Sequence, residues 1–556
     1  MLSISRLKGA AFSTALLFSF TSLLFLAQPA FANDVYIAQA ATGSANGSSC
    51  ANALVYSFFN SGGNWTTGTP SGTQIGPGST VHICGTITMS ANTAALTFQG
   101  SGNSTSPVTL LFESGAVLSS PEWPPQGSGG AIVTNDQNYI VINGNGGANG
   151  ATQGIIEATA TGDSGAACPS GSCTYHNDSN GIETDASNYL TIEGLSIIDM
   201  YVTATGVPSG GGGSCIWGNG KSTNWTITNN LMHDVSWCVN LQYENGTSSA
   251  ITISNNEIYN VDHGIAFGGP ASGNTLSNVN IYGNNIHDYS NWDTPGDVWH
   301  HDGIHIWGYN DDGSDTITGL NIYNNKFGGC IGQNVTAHVF IEQNGGSTKN
   351  VSVYNNSFID TCKGNENDGM LAVEDSAAAP NIYNNTFIGA STDTCAGFGD
   401  GSPSNITFVN NVISGCGIFM YVPSPASFAS GGLHNNIYAA CSGSNCFAYH
   451  GNDTNSFSTW QSGTGQDASP SSYVSSANLS AAGVPQSGSA VIGAGANLTS
   501  IVSSLLNLLG SALGALDSDI SGNARPAIGA WTDGAYSTTG TAPQPPTGLT
   551  GTVITN

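Results

Sequence analysis

The chain has 556 residues, with Lys+Arg 7 against Asp+Glu 35, a formal net charge of −28 and only 8% charged residues, where an average soluble protein has roughly a quarter. So acidic a chain is repelled by phosphate backbones, which excludes nucleic acid as a partner, and by polyanionic sugars unless a cation intervenes. The 75 Gly and 21 Pro are too few for collagen, and 39% hydrophobic residues are too many for disorder. What remains is an acidic, Gly/Asn/Ser/Thr-rich, mostly β extracellular protein.

Residues 1–32 read as a secretory signal: Arg6 and Lys8 begin it, Ala10 to Ala27 form its apolar stretch, and Ala30-Phe31-Ala32 its cleavage site. The mature chain is then expected in an extracellular, periplasmic or cell-surface location. No later segment approaches ~20 apolar residues, so no membrane span is expected. Residues 33–80 predict a first strand over Asp34 to Gln39 and a short cap helix over Ala51 to Asn60. Residues 81–495 are repetitive. Within 496–536, Leu498, Ile501, Val502, Leu505, Leu508, Leu509 and Ala512 recur at helical spacing, which predicts a cap over the far end. Residues 537–556 read as a Pro/Thr/Gly linker or the start of a further module.

The repeat is the clearest feature. Ile227-Thr228-Asn229-Asn230 returns as Ile253-Ser254-Asn255-Asn256, Ile281-Tyr282-Gly283-Asn284, Ile322-Tyr323-Asn324-Asn325 and Val353-Tyr354-Asn355-Asn356. It continues at Asn385, Asn411 and Asn436, the successive spacings being 26, 28, 41, 31, 29, 26 and 25. Second strands such as Gly181-Ile182-Glu183, Gly264-Ile265-Ala266 and Gly303-Ile304-His305 alternate in the period of a half-buried β-strand. Units this short cannot close a core alone and must stack. Asn suits their turns because it tolerates the left-handed conformation and its amides can hydrogen-bond along a ladder.

These units resemble the right-handed parallel β-helix of the pectin-lyase-like superfamily over roughly residues 80–495. The resemblance implies an all-β, single-stranded solenoid with an N-terminal cap helix and a C-terminal capping segment, expected to be monomeric. It does not select a chemistry, because the superfamily includes lyases, hydrolases, epimerases and non-catalytic surface proteins. Asp519 through Tyr536 is similar to the closing segment of secreted bacterial β-helix proteins.

All 12 Cys follow the signal, as suits an oxidising compartment. Sequence alone does not fix connectivity, and a zinc site is the alternative although no pair shows CxxC spacing, but matching places in the repeat suggest disulfides between Cys215 and Cys238, Cys395 and Cys416, and Cys330 and Cys362. Cys168/Cys173 and Cys441/Cys446 bracket Gly/Ser turns, which leaves Cys50 with Cys84.

The spacing of 41 marks about 13 inserted residues, assigned to Ser290 through His301, with Trp292, Trp299 and adjacent histidines leading into Asp302. Trp faces stack on sugars, and Asp and His handle protons. Aligning the Gly-Ile strands predicts an outward row of Glu183, Trp217, Asn240, His305 and Phe340, and a second of Asp185, Asn219, Gln242, Trp307 and Glu342. A polysaccharide in this groove would meet Trp217, Trp292, Trp299 and Trp307 as platforms, with Glu183, Asp185, Asn240 and Gln242 beside them. Asp302 is the expected general acid or base, Glu342 or Glu244 its partner, and His301 and His305 the groups that orient them. Asp302-Gly303-Ile304 is similar to the Asn-Thr-Asp-Gly motif of polygalacturonases, but the Asp-Asp and Gly-His-Gly motifs of that family are missing, so no roles carry over.

Pectate lyases use Arg or Lys near the substrate carboxylate, whereas beyond the signal this chain has only Lys221, Lys326, Lys349, Lys363 and Arg525. Hydrolysis is therefore expected ahead of β-elimination, with no required cofactor. The alternatives are a non-catalytic glycan-binding or structural surface protein, and a lyase with a His or Tyr base and Ca²⁺. Asn310 through Asp315 offers oxygen ligands for Ca²⁺, and His263, His300, His301 and His305 offer imidazoles for a transition metal.

Overall fold

The computed structural model describes residues 33–146, 153–160, 179–200, 213–219, 222–242, 246–269, 273–289, 301–309, 315–329, 335–344, 346–360, 369–374, 377–399, 403–501 and 516–537. The signal segment and the C-terminal linker lie outside them. The chain coils as a right-handed parallel β-helix. One ladder begins with Leu54–Val55 beside Asn33–Ala38, continues on Ser79–Cys84, passes through Asn188–Glu193, Thr223–Thr228, Thr247–Ser254, Thr275–Tyr282, Thr316–Tyr323 and Ser347–Tyr354, and ends at Phe428–His434. The other sheet holds two further ladders. They merge where the long strands Leu231–Gln242 and Glu257–Gly269 bend from one into the next.

The register explains why a repetitive sequence suffices. Ile192, Ile227, Ile253, Ile281, Ile322, Val353 and Ile382 are successive partners on the first ladder, and all are 0% exposed. Each such side chain contributes roughly 1.5–3 kcal/mol by leaving water.

The paired asparagines divide two tasks. Asn229, Asn255, Asn324, Asn355, Asn384, Asn410 and Asn435 take the left-handed conformation, with Gly283 in the same place. The second residue of each pair is buried and forms an amide ladder. Asn325 Oδ1 accepts from both the backbone N–H and Nδ2 of Asn284, each at 3.0 Å, while Asn325 Nδ2 donates to Asn356 Oδ1 at 3.1 Å.

Both ends differ from expectation. Ala51 to Asn60 is not a helix: short 3₁₀ turns at Cys50–Asn52 and Tyr56–Phe58 flank Leu54–Val55, which pairs with Ile37 and Ala38. The pull of the neighbouring strand prevails over a helix too short to nucleate alone, and Phe59 packs with Trp65 and Phe98 across the opening.

At the other end the cover is a helix over Phe457–Thr464, begun by the Ser456 cap and ended by left-handed Gly465. Its buried Trp460 stacks on Phe447 at 4.9 Å, and Asn452–Thr454 pairs antiparallel with Phe447–Tyr449, which stops the ladder. The described part of the Leu498 stretch covers a flank instead. Leu498, Ile501, Leu516 and Trp531 pack on the outward tyrosines Tyr323, Tyr354 and Tyr383. Arg525 secures that flank by donating to Asn355 Oδ1 and to the carbonyls of Thr532 and Gly534.

Cys50–Cys84, Cys395–Cys416 and Cys441–Cys446 are disulfides. Cys215 and Cys238 correct the expected pairing: they are partners across two rungs but stand as buried free thiols, with Cys215 Sγ directed to the Ile197 carbonyl at 3.5 Å. Inward-facing thiols on parallel neighbours behave here as small apolar groups in a packed core. Cys168, Cys173, Cys330 and Cys362 lie outside the described residues.

Candidate functional site

The third ladder keeps one outward row in register. Glu183, Trp217, Asn240, Ala266, His305, Phe340 and Ala372 are successive partners. Asn219, Gln242, Gly268, Trp307 and Glu342 form the row beside it. Ala266 and Gly268 leave one rung of this face low, and the Trp307 ring lies over Gly268.

Four titratable side chains from this rung and the next two meet here. Asp302 Oδ2 is 3.4 Å from His263 Nε2 and 3.7 Å from His305 Nδ1. On its far side His305 Nε2 is 3.3 Å from Glu342 Oε1. The register accounts for this meeting: His263 is the Cα partner of Asp302, and Trp307 that of Glu342. Asp302 Oδ1 accepts the Ala337 N–H at 3.0 Å, which turns Oδ2 toward the imidazoles. His263 lies flat on Trp237 at 3.9 Å, and His305 on Phe340 at 4.9 Å. Gly303 is required beneath them, because a Cβ there would come within 2.3 Å of the Tyr289 hydroxyl and 2.5 Å of the His338 carbonyl.

Burial grades this set. Asp302 is 0% exposed and His263 1%, whereas the Glu342 side chain is 28% exposed. Asp302 is thus screened from the groove, with His305 between it and Glu342, and Glu342 is the more exposed carboxylate of the set. His301 is equally buried, with Nε2 3.2 Å from Asp262 Oδ1, and Ser236 donates to the other oxygen of Asp262. His338, behind Asp302, has its pKa pushed down to about 3 by burial, against the opposing charge of Asp302.

The remaining expected residues scatter. Glu183 lies at the far end of its row, where its carboxylate accepts the N–H groups of Gly127 and Gly129 and the Asn180 amide. Burial raises its pKa despite those donors, and Asp185 is raised by burial and by Asp136. Trp217 is 9% exposed and Asn240 4%. Glu244, Trp292, Trp299 and His300, with most of the 310–315 segment, lie outside the described residues, and of Gln242 and Asn219 only the backbone register is described.

Sequence reasoning missed Glu374. Ile341 pairs with Val373, so Glu374 stands one rung beyond Glu342 in the same row. Its carboxylate lies over Gly399, where a Cβ would come within 2.2 Å of Oε1. Glu342 turns back toward His305 and Glu374 forward over Gly399, so two outward carboxylates of consecutive rungs lean apart. A polar cavity of about 640 Å³ lies elsewhere, over the asparagine corner beside Glu257, Tyr282, Asn284 and Lys326. Among the described residues its lining has no imidazole and no second carboxylate, so the chemistry argues for the third ladder.

No protein-family model matches the chain, and no curated protein matches it. Solved structures with a similar course include the pectate lyase Pel9A, at TM-score 0.39 and 13% identity over 67% of this chain and 78% of that one. DFA-IIIase from Arthrobacter chlorophenolicus A6 has TM-score 0.35 and 12% identity, covering 66% and 79%. PfbA, a surface adhesin of Streptococcus pneumoniae, has TM-score 0.33 and 13% identity, covering 63% and 85%. These names span a lyase, a DFA-IIIase and an adhesin, so this distant likeness selects no activity, and the fold rests on the chain's own ladders and register.

Proposed function

We propose that the protein is a secreted enzyme that hydrolyses a neutral or weakly acidic polysaccharide, with Glu342 and Glu374 as its acid–base pair. The observation that carries this reading is the placement of those carboxylates on consecutive rungs of one outward row, beside Trp307 and Phe340. One carboxyl would protonate the glycosidic oxygen as the other takes a proton from the attacking water, leaving a new reducing end. Rungs repeat every ~4.8 Å. Two side chains leaning apart from that spacing suit the ~6.5–9.5 Å of inverting enzymes better than the ~5–5.5 Å of retaining ones.

His305 orients Glu342, and Asp302 positions His305 from below. His301 belongs to the layer beneath. Trp307 and Trp217 serve as sugar platforms, with Trp292 and Trp299 proposed in the same role and Glu244, Asn240, Gln242, Glu183 and Asp185 along the groove. The scarcity of Lys and Arg leaves little to neutralise a uronate, which supports hydrolysis and a weakly charged substrate. Three disulfides support an oxidising, extracellular location, and among the described residues no helix is long and apolar enough to cross a membrane. The reading requires no Ca²⁺.

The test is to incubate the mature chain with a panel of neutral and uronic-acid polysaccharides, with and without Ca²⁺, following reducing ends and the ultraviolet absorbance of unsaturated products. Reducing ends without absorbance are expected, falling on the order of 10²–10⁴-fold in Glu342→Gln and in Glu374→Gln. Rising absorbance would replace hydrolysis with elimination by a His or Tyr base. Binding without any product would leave a glycan-binding surface protein.

A further inference from the structure

The geometry points to a transition-metal site of the zinc class, formed by His263 Nε2, Asp302 Oδ2 and His305 Nδ1. These three donor atoms lie within 4.8 Å of one another. A tetrahedral ion with bonds of about 2.0–2.2 Å holds its ligand atoms roughly 3.3–3.6 Å apart. The observed separations of 3.4 and 3.7 Å from the shared carboxylate oxygen match the edges of such a tetrahedron to within a few tenths of an ångström. They are longer than the ~2.7–2.9 Å of a charge-assisted hydrogen bond between the same groups.

The surroundings are those of a built site. His263 and Asp302 are 1% and 0% exposed and His305 4%, so the Asp302 carboxyl sits out of water, where a bound cation would offset the cost of its charge. Each ligand is oriented by a second contact. The Ala337 N–H takes the other Asp302 oxygen, Trp237 backs His263, and Glu342 receives the Nε2 side of His305. The last arrangement is the carboxylate–histidine support that fixes the tautomer of a ligating imidazole. With Nε2–H directed to Glu342, Nδ1 presents its lone pair to the ion.

Two nitrogens and one oxygen suit Zn²⁺, and they do not suit Ca²⁺ or Mg²⁺, which take oxygen shells. Three protein ligands would leave a fourth position open. The ion would lock His305, and through it the direction of Glu342. Metal binding itself does not depend on the glycan reading.

The test uses the full mature chain, stripped by a chelator and titrated calorimetrically with Zn²⁺ alone, then loaded with Co²⁺ for visible spectroscopy. The expected result is one Zn²⁺ per chain, the strong visible bands of four-coordinate Co²⁺, and no displacement by excess Ca²⁺. Affinity should fall at least ~100-fold in His263→Gln and Asp302→Asn and 10–100-fold in Glu342→Gln, and stay unchanged in Cys215→Ser. Zn²⁺ binding that is absent, that survives both ligand substitutions, or that is lost in Cys215→Ser would overturn the site. If the ligand variants fail to fold, the wild-type Co²⁺ spectrum still decides: six-coordinate bands or none would refute it. A wild-type chain that binds Zn²⁺ as expected but hydrolyses no glycan would count against the proposed function and not against the metal.

Discussion

The amide ladder is expected to hold the solenoid together more than any single apolar contact at its corner, and Asn325→Ala isolates that claim. The substitution removes an oxygen that accepts from Asn284 N and Asn284 Nδ2, each at 3.0 Å, and an amide that donates to the Ile281 carbonyl at 2.9 Å. Asn356 Oδ1 keeps the Asn325 backbone N–H at 3.0 Å but loses the Asn325 Nδ2 donor at 3.1 Å, so the orphaned donors lie on the Asn284 side. Asn284 is 1% exposed and Asn325 0%, which keeps bulk water from replacing the lost partners. Two orphaned donors, at ~1–3 kcal/mol for each buried unsatisfied group, with two weakened acceptors beside them, give about 3–5 kcal/mol of destabilisation. The comparison is Asn324→Gly, one residue away at φ 55°. Glycine adopts that conformation at no steric cost, so its effect should stay within ~1 kcal/mol. Urea unfolding followed by near-ultraviolet circular dichroism, with limited proteolysis alongside, reads both. An Asn325→Ala midpoint no lower than that of Asn324→Gly would refute the ladder as a source of stability.

Gly399→Ala should push the Glu374 carboxylate aside, since the added Cβ would fall 2.2 Å from Oε1. Turnover of the polysaccharide should drop while the urea midpoint stays put; equal activity would remove Glu374 from the machinery. Burial raises the pKa of Asp467 above its ordinary 3.8, so the fold favours the protonated acid. The stability this supplies is full below pH 3.8 and is lost as pH rises through the raised value. In Asp467→Asn, whose amide oxygen can still face Trp460 and Tyr438, unfolding midpoints should show a smaller loss over that window, and an unchanged profile would contradict the assignment. His338 has the opposite sign. With its pKa pushed from 6.5 to about 3, the fold favours neutral imidazole, so stability is present above pH 6.5 and is lost as pH falls toward 3. His338→Gln should flatten that acid slope in the same measurement, and a slope as steep as wild type would locate the titration elsewhere.

The ladders were legible because each unit repeats the same apolar alternation and asparagine turn, and a one-residue slip would turn every isoleucine outward. The same regularity puts His305, Phe340, Trp307 and Glu342 on one face. Glu374 escaped because its unit reads Gly369-Met370-Leu371-Ala372-Val373, without the Gly-Ile signature that aligned the others. The meeting of His263 with Asp302 depends on the register across the long insertion, which periodicity alone does not supply. Helical spacing in the Leu498 stretch showed an apolar surface but not its destination. The signal for that lay in the tyrosines of the repeat, since Tyr282, Tyr323, Tyr354 and Tyr383 are consecutive partners and their outward apolar stripe needs a cover. Cys215 and Cys238 show a further limit: matching places in the repeat bring two thiols together without stating whether they oxidise.

The most direct test of the account is time-resolved proton nuclear magnetic resonance of the sugars first released from a cleaved polysaccharide, comparing the mature chain with Glu342→Gln and Glu374→Gln. New reducing ends are expected whose anomeric configuration is opposite to that of the cleaved linkage, lost in both variants while their folds persist. Unsaturated product signals, or full turnover in either variant, would contradict it.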